Sequence, residues 1–242
     1  MSDFLPKIKK ITNKVLDIIF PNDFKCLLCG KDLPDDSSIF CSECLQSDIF
    51  NEGNRCIKCD TMIKEGNIIC DHCKSQKRYF EKCVCPLNYN NIVKAAILKF
   101  KDDNARYLVT PFAKLIIERI KEENFQFDII VPVPSHPKTI RRRGYNPPLL
   151  LAKEIGKLLN KPVVEALVKN VLTSKQKRLN FEERQTNLRD SMTLVDKSAI
   201  KGKNILIVDD IITTCATINT CASLLKGAKK IYACGIARTN LS

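Results

Sequence analysis

Ile205-Leu206-Ile207-Val208-Asp209-Asp210-Ile211-Ile212-Thr213-Thr214-Cys215-Ala216-Thr217-Ile218 is the stretch that decides the fold of this 242-residue chain. Four consecutive aliphatic side chains leave no polar face for water, so they form a strand buried on both sides, as strands of parallel sheets are. Asp209 and Asp210 fall where that strand leaves the sheet, and a run of hydroxyl and small residues then opens a helix. Amides at the start of a helix lack partners and carry partial positive charge, which suits a phosphate. Carboxylates repel phosphate and are better suited to accept hydrogen bonds from sugar hydroxyls. The stretch therefore predicts a sugar-phosphate site, with ribose hydroxyls on Asp209 and Asp210 and a 5′-phosphate on Thr213, Thr214, Cys215, Ala216 and Thr217. The plainer alternative is a buried strand with an acidic end and a well-capped helix. ATPase and dinucleotide-binding readings fall away, because the chain contains neither G-x-x-x-x-G-K-[ST] nor G-x-G-x-x-G.

Outward from this stretch, strand and helix patterns alternate from Tyr79 to the end of the chain. Helical spacing covers Ile92 to Lys99, Pro111 to Ile120, Pro148 to Leu159 and Thr217 to Leu225; short apolar runs at Phe127 to Val133, Asn204 to Val208 and Lys230 to Ile236 read as strands. Such alternation implies an α/β domain over residues 79–242, a twisted parallel sheet with helices on both faces. Ligands of such sheets bind beyond the carboxyl ends of the strands, which is where the two aspartates stand.

Residues 21–78 have a different character. Four C-x-x-C pairs, Cys26/Cys29, Cys41/Cys44, Cys56/Cys59 and Cys70/Cys73, are separated by 11 residues within the first half and 10 within the second, one unit repeated twice. Two C-x-x-C turns complete a closed tetrahedral site of four thiolates, so the segment predicts a double zinc ribbon with two structural Zn²⁺ ions. Metal binding supplies the folding energy that so short a segment with few large apolar side chains lacks. Rubredoxin-like iron, redox thiols, an interleaved pairing and His72 as a substitute ligand are the alternatives. Cys83 and Cys85 read as an ordinary strand pair. Closely spaced thiols without a secretory signal point to a reducing, cytoplasmic setting.

Residues 1–20 carry Phe4, Ile8, Ile11, Val15, Ile18 and Ile19 at helical spacing, interrupted by lysines. That pattern is an amphipathic helix, which either docks on its own protein or lies peripherally on the inner membrane surface; it is no signal peptide or span. The chain has a formal net charge of +13, and all of the excess lies after Arg78. Two stretches concentrate it: Lys138, Arg141, Arg142 and Arg143 with Tyr145 behind them, and residues 169–189 with Lys175, Lys177 and Arg178 near Phe181. A solvated charged face is the default reading. Arginine combined with aromatic side chains also suits single-stranded DNA, whose phosphates follow charge and whose bases stack. The 169–189 stretch equally suits a lid over a pyrophosphate. His136, after a strand end, is a candidate acid or base or simply satisfies a turn.

The Asp-Asp-Ile-Ile-Thr-Thr segment resembles the phosphoribosyl-pyrophosphate loop of type I phosphoribosyltransferases, and nearly the whole chain is similar to the ComF (ComFC) competence proteins. The likeness runs through the double ribbon, Ala96 to Lys101, Val131-Pro132-Val133-Pro134, His136-Pro137, Arg141 to Asn146, and the scattered Gln176, Leu179, Arg184 and Asn187. It implies a type I phosphoribosyltransferase-like fold, phosphoribosyl pyrophosphate with Mg²⁺ as ligand, and a role in natural transformation handling single-stranded DNA, with the ribbons docking a partner such as an uptake helicase. An active phosphoribosyltransferase using a base or amine acceptor is the rival reading, although no acceptor site is legible in the sequence. A fold retained as a sensor or scaffold is a third. Three positions depart from the family pattern: Cys215 replaces a usual glycine, which brings a Cβ to the phosphate loop; Pro147 and Pro148 shift a helix start without changing the fold; Ser135 replaces a usual leucine, a neutral change.

Overall fold

The computed structural model describes residues 24–34, 38–169 and 191–240. In the cysteine module the helices are short, α1 (Ser42–Leu45) and α2 (Asp71–Ser75). There follow β1 (Lys82–Val84), β2 (Leu87–Asn88), α3 (Asn91–Asp102), α4 (Val109–Glu122), β3 (Ile129–Pro132), α5 (Pro137–Arg143) and α6 (Pro147–Leu159). The chain continues with β4 (Leu167–Lys169), β5 (Met192–Leu194), β6 (Asn204–Val208), β7 (Ile211–Ile212), α7 (Ala216–Leu224), β8 (Lys230–Cys234) and β9 (Ala237–Arg238). The predicted helices and strands are all present to within a few residues. Proline at the first turn of α6 is tolerated because the amide it removes has no intrahelical acceptor.

The sheet is parallel in the order β1-β8-β6-β3 and continues beyond a break as β2-β9-β7. The breaks fall at Cys85-Pro86, at the two aspartates and at Gly235-Ile236. A Cβ on Gly235 would lie 2.7 Å from the Ile212 side chain, so only glycine lets these broken strands approach there. β4 and β5 form a separate antiparallel pair.

Alternation along the strands sends neighbouring residues to opposite faces. Leu206 and Val208 pack with Ile97, Phe100, Phe112 and Ile116 of α3 and α4, Leu151 and Ile155 of α6, and Leu28, Phe40 and Cys44 of the first ribbon. Ile205 and Ile207 pack on the other face with Ile218 and Cys221 of α7, Met192 of β5, and Cys56 and Cys59 of the second ribbon. Each ribbon is thus built into the core on its own side of the sheet. Polar contacts lock both in place: the Asn90 side chain caps α3 by accepting from the Ile92 and Val93 amides and donates to the Ser47 carbonyl, while Asn219 of α7 accepts from the Tyr79 amide and donates to the Lys77 carbonyl. Among the described residues no helix is long and apolar enough to cross a membrane. Residues 1–20, expected from the sequence to form an amphipathic helix, and residues 170–189 of the expected lid lie outside the described residues.

Candidate functional site

β3 and β6 end side by side, Pro132 opposite Val208, so the loops that follow them leave the sheet as neighbours. Asp209 Oδ1 accepts the Asp210 amide at 2.8 Å, and Asp210 Oδ1 accepts the Ile211 amide at 2.7 Å, which fixes both carboxylates against their own backbone. Asp210 is 8% exposed and pairs with Lys101 Nζ at 2.7 Å, across from the C-terminal end of α3. Burial, and then the charge of Asp210, push the Asp209 carboxyl up to about 7, against the opposing pull of Lys101 and Lys169. Two acids and two lysines therefore meet where the central strand breaks.

Beyond the acids, Thr213 is exposed and Thr214 accepts the Ala216 amide on its hydroxyl at 3.3 Å. Ala216 and Thr217 form the half-buried first turn of α7, whose amides have no acceptor within the helix. Cys215 precedes them in the left-handed conformation, φ 62°, ψ 12°, which is costly for a residue with a Cβ. Its thiol is buried and turned toward Cys59 and Cys83, so only its backbone is available to an anion.

The loop after β3 contributes differently from what its residues suggest. His136 Nδ1 accepts the Lys138 amide at 3.1 Å and so caps α5, satisfying the turn. Ser135, expected to be neutral, donates to Asn146 Oδ1 at 2.7 Å and ties the two ends of that loop together. Lys138, Arg141 and Arg142 are exposed. Arg143 is held by Asp102 at 3.0 Å, Tyr145 donates its hydroxyl to the Phe100 carbonyl, and Arg106 lies 4.7 Å over the Tyr145 ring, so the protein itself occupies these two expected nucleic-acid contacts. Lys175, Lys177 and Arg178 lie outside the described residues. Lys101 entered the sequence reading only as the end of the Ala96 to Lys101 stretch and was not singled out as a site residue, since a lysine on a helix is ordinary until tertiary structure sets it against an acid.

The cysteine pairs group as consecutive quartets, Cys26, Cys29, Cys41 and Cys44, then Cys56, Cys59, Cys70 and Cys73, with the sulfurs of each quartet within 4.8 Å of one another. Tetrahedral Zn²⁺ with Zn–S bonds of about 2.3 Å sets ligand sulfurs about 3.8 Å apart. Cys29 and Cys41, and likewise Cys59 and Cys70, stand 3.6 Å apart. Both quartets fit zinc, and His72 belongs to neither. The second ribbon is also anchored by charge: Asp60, 2% exposed, accepts the Cys85 amide at 2.8 Å and faces Arg119 of α4 at 3.6 Å and Arg55 at 3.7 Å.

The double zinc ribbon family model matches residues 15–74. Competence protein F of Haemophilus influenzae is 27% identical over 89% of this chain and 97% of its own length. Competence protein ComFC of Streptococcus pneumoniae is 27% identical over 88% of this chain and all of its own length. Among solved structures the chain is similar to a glutamine phosphoribosylpyrophosphate amidotransferase from B. subtilis, at 18% identity with a TM-score of 0.37, over 60% of this chain and 27% of that one. Likeness to both competence proteins extends across ribbons and sheet alike, so the chain is similar over nearly its whole length to ComF-type competence proteins, and what it shares with them is the joined architecture of a double zinc ribbon and a parallel-sheet α/β domain.

Proposed function

We propose that the protein serves DNA uptake by binding phosphoribosyl pyrophosphate with Mg²⁺ at Asp209 to Thr217 and single-stranded DNA on the exposed basic face of α5. The observation that carries the sugar-phosphate part is the broken central strand. There Asp209 and Asp210 stand against the open first turn of α7, with Lys101 close enough to move between Asp210 and an incoming anion. In this reading the acids accept ribose hydroxyls, the amides of the α7 first turn take the 5′-phosphate, and Lys101 and Lys169 balance pyrophosphate charge. Asp209 and Asp210 are the residues that would hold Mg²⁺, which would offset pyrophosphate charge there. The competence names of its relatives and the exposed Lys138, Arg141 and Arg142 support the DNA part.

Calorimetry with Mg²⁺ and phosphoribosyl pyrophosphate tests the first part. Saturable binding that weakens at least about tenfold in Asp210→Asn and Lys101→Met is expected, the loss of one charge-assisted contact each; no binding by the unaltered protein rejects it. Labelled single strands titrated at two salt concentrations test the second. Replacing Lys138, Arg141 and Arg142 by alanine should reduce the salt slope by about 2, from three lost phosphate contacts at about 0.7 each on single strands. Binding that ignores salt would discard this surface.

The rival reading, a working phosphoribosyltransferase, draws support from Asp209, whose carboxyl titrates at about 7 and could take a proton from an acceptor near neutral pH. Pyrophosphate release in the presence of candidate bases and amines, lost in Asp209→Ala, would favour it.

A further inference from the structure

The second ribbon and the candidate phosphate loop meet at a buried arginine. Arg238 of β9 is 0% exposed. Its Nε donates to the Cys59 carbonyl at 2.8 Å, Nη1 to the Ile212 carbonyl at 3.0 Å and the Thr239 carbonyl at 3.2 Å, and Nη2 faces Cys59 Sγ at 3.5 Å. Among the described residues no carboxylate lies within ion-pair distance; the groups around it that can carry negative charge are the sulfurs of Cys59, Cys83, Cys85 and Cys215. A guanidinium does not lose its proton inside a protein, and a buried charge without a partner is strongly destabilising. Four thiolates around one dication carry a net charge of −2, and Cys59 is one of those four ligands.

We propose that the second metal site is the counter-charge of Arg238, and that Arg238 and Cys215 act as positioning residues that couple metal occupancy to the shape of the candidate sugar-phosphate loop. The proposal rests on the reading of Asp209 to Thr217 as a sugar-phosphate site. Both ends of the turn at Thr213-Thr214 are pinned to the same cysteine. On one side the Ile212 carbonyl is held by the guanidinium that faces Cys59. On the other the Cys215 thiol lies against the sulfurs of Cys59 and Cys83. This packing gives a reason for cysteine where glycine would adopt the left-handed conformation more easily: the side chain that strains the backbone also ties the start of α7 to the ribbon. Without the metal, Cys59 is no longer held in place, and both pins that rest on it loosen together. The first quartet has no such route, since its sulfurs belong to the cluster on the opposite face of the sheet.

Coupling between two binding events is reciprocal, so a sugar phosphate that prefers the pinned turn must slow the loss of one zinc ion and leave the other unchanged. The experiment follows zinc release from the full chain to a chromophoric chelator, with and without saturating Mg²⁺ and phosphoribosyl pyrophosphate, beside calorimetry of the same sample. The expected result is protection of one of the two ions by about tenfold, within the usual range of coupling between sites. That protection should persist in Cys29→Ser/Cys41→Ser, which keeps only the second site, and vanish in Arg238→Gln. Binding without any change in either release rate, or equal protection of both ions, overturns the coupling while leaving the sugar-phosphate reading intact. Protection undiminished in Arg238→Gln also overturns it. Absence of binding by the unaltered protein removes the reading and the coupling together. Should a variant fail to fold, the unaltered protein's two release rates still decide.

Discussion

The two ribbons come from one repeated sequence unit, yet they stand in different relations to the rest of the molecule. The first keeps Cys29 and the Lys31–Glu43 pair in solvent and borders an apolar cavity of about 300 Å³ lined by Phe24, Leu28, Leu33, Ile39 and Tyr107. The second buries Cys59 completely, sends Asp60 into the interior against Arg119, and touches the candidate phosphate loop through Arg238 and Cys215. Metal chemistry is the same in both. What differs is the number of buried groups whose charge or conformation depends on the metal, and that number sets how far its influence reaches.

Removing one ligand from each ribbon gives the sharpest contrast. Cys59→Ser is expected to lose one zinc, destabilise the fold by at least about 3 kcal/mol because Arg238 is left unpaired, and lower sugar-phosphate affinity at least about tenfold. Cys29→Ser should lose one zinc as well and keep that affinity within about twofold, the behaviour of uncoupled sites. Metal analysis, denaturation and calorimetry on the two variants compare them directly, and equal losses of affinity would erase the distinction.

The charge anchor of the second ribbon comes next. Arg119→Met leaves Asp60 with Arg55, the Cys85 amide and the Asn51 side chain, and a loss of about 3 kcal/mol in chemical denaturation is expected, as for other broken buried pairs. A loss below about 1 kcal/mol would mean that Arg55 and the amide partners suffice to hold Asp60.

Asp209 provides a pH test on the side of the sheet that the second ribbon covers. Its carboxyl titrates at about 7 when folded and at about 4 when unfolded. The folded state therefore holds the proton more tightly, and stability from this group is present below the lower value and lost as pH rises through the higher. Asp209→Asn should stabilise the protein by roughly 2–4 kcal/mol at pH 8, by about nothing at pH 3, and abolish sugar-phosphate binding. A stability gain that ignores pH would refute the assignment. The smallest effect belongs to the first ribbon: Asn90→Ala removes the cap of α3 and the bond to Ser47, for a loss of about 1 kcal/mol with both zinc ions retained.

Much of this architecture was legible because its signals are local. C-x-x-C spacing dictates a metal turn whatever surrounds it, four aliphatics in a row cannot face water, and acids at the end of such a strand have only the sheet edge to occupy. Those facts gave the four metal-binding turns, the parallel sheet and the position of Asp209 and Asp210, while the grouping of the turns into consecutive quartets came from the structure. Tertiary structure alone decided that Lys101 meets Asp210, that Tyr145 is spent on Phe100 and Arg106, that His136 serves as a cap, and that Cys215 turns its thiol away from the loop. It also placed the repeated ribbons on opposite faces and set Arg238 against Cys59, 179 positions away in sequence. The physical reason is common to all of these: a long side chain's partner is chosen by which surfaces the packed core brings within reach, and no spacing along the chain encodes that distance.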